Sequence, residues 1–177
     1  MSGALAKVTA VTNAIKDAWW LVEKSESVVN INADQANAVP GGADWATDLT
    51  GAAGPNYKDI TYSSSWYIWN PFGDDHESTT TITMRVFWMY GAKYRGGGAF
   101  IPTAWVDVVY LDPGYNNDID ISVNVGQPSN VGTDTAPIAA LPLSITVKED
   151  SMVPGQDNQE TYTVMLYGTG HGQVYGG

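Results

Sequence analysis

The stretch Thr79-Thr80-Thr81-Ile82-Thr83-Met84-Arg85-Val86-Phe87-Trp88-Met89-Tyr90 decides the fold class. Ile82, Met84, Val86, Trp88 and Tyr90 fall on every second residue, and Thr81, Thr83 and Arg85 take positions between them. Successive side chains of an extended strand point to opposite faces, so this pattern puts one face in a core and leaves the other wet. Asp118 to Val125 repeats the pattern, with Ile119, Ile121, Val123 and Val125 opposing Asp118, Asp120, Ser122 and Asn124.

Outward from these two runs, further strands are predicted over 27–33, 59–69, 99–111, 143–148 and 160–167, separated by Gly, Pro, Asn and Asp clusters. Residues 34–57 show no period and read as a long surface loop with room for a short strand near Trp45. Residues 4–24 break the β pattern. Leu5, Val8, Val11, Ile15, Trp19 and Val22 recur at helical spacing, with Ser2 available as a cap. The expected fold is therefore mostly β, an antiparallel β-sandwich with one N-terminal amphipathic helix packed against it. A partly closed β-barrel is the alternative. Residues 1–177 form one domain on this reading, and the glycine-rich segment 168–177 is expected to be a mobile tail.

Composition narrows the function. The chain has 177 residues, no cysteine, and a formal net charge of -11. A domain of this length buries roughly 70% of its unfolded surface, so it needs neither disulfide nor metal to fold. The negative field opposes nucleic acid as a partner. Charged residues make up only 15% of the chain and aromatic residues 11%, which suits a β protein with a contact surface. Residues 1–18 include Lys7 and Lys16 and lack a continuous apolar core, so they fit neither a secretory leader nor a membrane span. The expectation is a soluble chain, cytoplasmic or released without a classical leader.

The densest aromatic run, Trp66-Tyr67-Ile68-Trp69-Asn70-Pro71-Phe72, places large rings on both faces of one strand. Flat rings offer apolar area at low entropic cost together with an N–H or O–H handle, which suits glycans, lipid head groups and protein partners. A second cluster contains Tyr90, Lys93, Tyr94 and Arg95, followed by Gly96, Gly97 and Gly98. Two cations in a glycine-rich turn provide a small anion site. Trp66, Tyr67, Trp69, Tyr90, Lys93, Tyr94 and Arg95 are thus the candidate ligand-binding residues. Asp112, Asn116, Asp118 and Asp120, with Asn117, are candidate calcium ligands, as are Asp74, Asp75 and Glu77 beside His76. Neither loop matches an EF-hand.

Catalytic signatures are lacking: His76 and His171 sit in no nucleophile, zinc or phosphate motif. The leading expectation is a non-enzymatic, lectin-like recognition protein holding a glycan or another cell-surface ligand on its aromatic face. A self-assembling structural or inclusion-body subunit is an alternative, with homo-oligomers formed through strand edges. In broad layout, a leading helix ahead of an aromatic-rich, cysteine-free sandwich, the chain resembles the actinoporins. That resemblance implies a membrane-active, pore-forming cytolysin whose aromatic loops dock on a lipid surface before helix 4–24 inserts. It rests on layout alone, with no shared motif and no residue carried over, and the acidic charge departs from the basic character of that group.

Overall fold

The computed structural model describes residues 29–32, 36–39, 47–68, 76–114, 117–151 and 157–177. The helix expected over 4–24 and the strand expected near Trp45 lie outside them. Among the described residues no helix occurs, and none is long and apolar enough to cross a membrane.

Among the described residues, twelve strands form two sheets. The first contains β1 (Val29–Asn32), β8 (Asn117–Val125), β10 (Ala139–Ser151), β11 (Asn158–Tyr167) and β12 (Gly172–Tyr175) in that spatial order, with β9 (Ser129–Asn130) beside β10. The second runs β3 (Leu49–Thr50), β6 (Ala92–Tyr94), β7 (Gly97–Asp112), β5 (His76–Tyr90) and β4 (Ala53–Ile68), with β2 (Ala36–Ala38) beside β7. Every ladder is antiparallel except β1 against β8. The two sheets do not close into a barrel.

The period-two residues fill the space between the sheets. Ile82, Met84, Val86 and Trp88 from β5 meet Leu141, Leu143, Ile145 and Val147 from β10, all nearly inaccessible to water. Burying each such side chain contributes about 1.5–3 kcal/mol. On β8 the alternation weakens toward its end: Ile119 and Ile121 are buried, Val123 is half-buried and Val125 is exposed.

Two segments differ from the sequence expectation. The loop read over 34–57 contains β2 and β3, and β4 already starts at Ala53. The segment read as a mobile glycine tail includes β12, which pairs with β11 from Thr163↔Tyr175 to Leu166↔Gly172. Gly168 N–H donates to Ala139 O at 2.8 Å, and Gly91 N–H donates to Gly168 O at 2.8 Å. Gly172 packs so tightly on Trp88 that an added Cβ would lie 2.6 Å from the indole. These glycines are small because rings and backbone occupy the space beside them, and a reading of glycine as flexibility misses that role.

Candidate functional site

The predicted aromatic residues do not converge. Trp66 lies on the half-buried, inward side of β4, its neighbour Tyr67 projects outward with 72% of its surface exposed, and Trp69 falls outside the described residues. Trp88 is a core residue, 1% exposed. Tyr90 is half-buried against the core, its ring against the space that a side chain on Gly170 would need. Lys93 is exposed on β6 and Arg95 on the β6–β7 turn, where Arg95 adopts a positive φ of 51° and its guanidinium sits 5.1 Å from the Tyr94 ring. Tyr67 pairs with Glu77 at one end of β5 and Tyr90 closes the other, thirteen residues away. At about 3.3 Å per residue the two are roughly 40 Å apart, too far for one small-ligand site.

A different constellation assembles on the outward face of the second sheet. Register places Tyr57, Phe87 and Trp105 in one row across β4, β5 and β7, and Asp59, Arg85 and Asp107 in the next. Phe87 and Trp105 stack at 5.1 Å with 12° between planes, and Tyr57 lies 6.2 Å from Phe87 at 54°. Arg85 Nε and Nη2 donate to the two carboxylate oxygens of Asp59 at 2.6 and 2.8 Å. The same guanidinium lies 4.2 Å from the Tyr57 ring centroid. Such a fork and cation–π contact fix the cation while leaving its remaining N–H groups free of Asp59.

Electrostatics differ across that row. The hydrogen bond from Arg85 holds the Asp59 carboxyl below the usual carboxylate range. Burial pushes Asp107 upward, against the opposing pull of the Val108 N–H and Arg85. Tyr57 remains 52% exposed. The face thus offers an open ring beside a planar cation and two carboxylates, a set able to take an apolar face and several hydroxyls of one ligand. Sequence reading missed it because Tyr57 lay in a supposed loop and the cross-strand register of Asp59, Arg85 and Asp107 cannot be read from one chain.

The interior holds a second polar group. Glu149 is completely buried at the end of the inward series Leu143, Ile145, Val147. Its Oε2 accepts from Tyr62 Oη at 2.7 Å and from Ser64 Oγ; its Oε1 accepts from Asn117 Nδ2 at 2.6 Å and from Thr80 Oγ1. Tyr62, Ser64 and Thr80 belong to the second sheet, Glu149 and Asn117 to the first. The carboxylate therefore pins the sheets together at one end. All four of its strong lone-pair directions are used, which leaves it a structural acceptor with no room for a metal ion.

Burial, reinforced by the bond to Glu149, pushes the Tyr62 hydroxyl up to about 12 from 10.0. Tyr162 is raised too, by burial and its bond to Glu160. A phenol whose folded value is raised contributes stability that is complete below pH 10 and lost as pH climbs through about 12. For Tyr62 this amounts to about 3 kcal/mol. Tyrosinate absorbance is therefore expected to rise in two stages on alkaline titration, the second together with loss of the β-sheet circular dichroism signal. One stage, complete near pH 10 with the fold intact, would contradict the burial of both hydroxyls.

Asp118 and Asp120 are exposed on β8, Asp112 is exposed at the end of β7 in the other sheet, and Asn116 lies outside the described residues. Lys148 faces Asp120 across the ladder and donates to Asp150 at 2.6 Å, so an ammonium lies within this acidic strip. Among the described residues no three His, Asp or Glu side chains converge as metal ligands. Asp74 and Asp75 are outside the described residues, and Glu77 is exposed on β5. An open apolar groove of about 330 Å³ lies between Val39, Phe100 and Pro137–Ile138. Comparison with protein-family models, curated proteins and solved structures returns no match.

Proposed function

We propose that the chain is a non-enzymatic recognition module that holds a carbohydrate on the outward face of its second sheet, at Tyr57 and Arg85. The observation that carries this reading is Arg85, fixed by Asp59 and by the ring of a half-exposed tyrosine. Sugar rings combine apolar C–H faces with vicinal hydroxyls. An exposed phenol supports the first, and a guanidinium between carboxylates supports the second.

The arrangement also costs little to use, because the side chains are already held in place and their rotamer freedom is spent in folding. Glycan-array binding followed by calorimetry is the test. Tyr57→Ala is expected to weaken binding at least tenfold while circular dichroism stays native, since about half of that ring is already in water. Unchanged affinity in Tyr57→Ala, or no binding to any glycan by the native chain, would refute the reading.

A further inference from the structure

The outward face extends well beyond Tyr57. Pairing between β4 and β5 runs without a register shift from Asn56↔Trp88 to Ile68↔His76, so Tyr57 and Tyr67 share one face of one strand. Ten residues separate them, or about 33 Å at the rise of a strand. Between the two rings, Thr61, Ser63 and Ser65 on β4 stand opposite Thr83, Thr81 and Thr79 on β5. Thr61 and Thr83 hydroxyls meet at 3.4 Å. Beside Thr83, across β7, stands Tyr110, 53% exposed; Val109 is the extra residue of a bulge at that point. Three open phenol rings thus lie along a bed of hydroxyls.

We infer that the occupant of this face is a neutral polysaccharide lying along β4, an inference that rests on the carbohydrate reading above. A single terminal sugar reaches one ring; only a chain of several sugars reaches Tyr57 and Tyr67 together. Charge selects the polymer. Asp59, Glu77, Asp107 and Asp112 face outward with Arg85, whose guanidinium is already paired with Asp59, so the face is net negative and repels an anionic chain. A protein partner fits less well, because the centre of a protein interface is desolvated and apolar, whereas here the centre is hydroxyl.

The test uses the full chain with cello-oligosaccharides and N-acetylated chito-oligosaccharides, from monosaccharide to octasaccharide, and polygalacturonate as the anionic polymer. In at least one neutral series affinity is expected to climb with length by about tenfold or more, as successive rings engage. Tyr67→Ala, a substitution at an exposed site, is expected to abolish the climb and leave the short-oligomer affinity unchanged. Affinity that is flat with length and insensitive to Tyr67→Ala, while Tyr57→Ala still abolishes it, overturns the polymer inference and spares the carbohydrate reading. Polygalacturonate binding as tightly as the neutral chains overturns the charge argument and with it the inference. No binding of any length in either series, with none on the wider array, overturns both.

Discussion

Glu149→Ala is expected to lower stability by about 3–5 kcal/mol, read from urea unfolding monitored by circular dichroism. The substitution leaves Tyr62, Ser64, Thr80 and Asn117 aimed at an empty space. A buried donor without an acceptor costs about 1–3 kcal/mol. Thr80 and Asn117 retain the carbonyl of Pro113, so the sum falls short of four full losses. Glu149→Gln keeps the shape but turns one oxygen, which accepts two bonds, into a donor. It is expected to lie between the native chain and Glu149→Ala. A loss under about 1 kcal/mol in Glu149→Ala would mean that the sheets are not held at this point.

Gly168→Ala is expected to cost about 3 kcal/mol. The new Cβ would overlap the carbonyl oxygen of Ala99, lie 2.5 Å from its carbon and 3.1 Å from Phe100 N. All three are backbone atoms, so no side chain can swing away. Relief requires moving Gly168, which breaks its bonds to Ala139 and Gly91. Gly97→Ala is the control: its nearest neighbour is Tyr94 O at 4.0 Å, and its effect is expected within about 0.5 kcal/mol. Equal stability in the two variants would contradict the docking of residues 168–175 onto the sandwich.

The sandwich was legible because hydrophobic alternation reports which strand faces are buried, and β5, β7, β8, β10 and β11 each contain the segment predicted for them. Short strands such as β3, β6 and β9 have too few residues to show a period, and β12 is disguised by its glycines. Glu149 left a readable trace. It continues the parity of Leu143, Ile145 and Val147, but a strand ended at Lys148 hides it, because a carboxylate reads as the start of a loop. The site was harder. The run Trp66–Trp69 drew the eye by density, whereas the observed constellation joins Tyr57, Arg85 and Asp107, whose nearness depends on strand register. Among the described residues, Tyr67 alone of the predicted ligand-binding set lies on the same outward face of β4 as that constellation.

Chemical-shift mapping of the isotope-labelled chain with a saccharide selected on the array tests the recognition surface most directly. The largest perturbations are expected at Tyr57, Asp59, Arg85 and Phe87, with the Lys93–Arg95 turn and the groove beside Phe100 unchanged. Perturbations centred on that turn or that groove, with Tyr57 and Arg85 silent, would contradict the account.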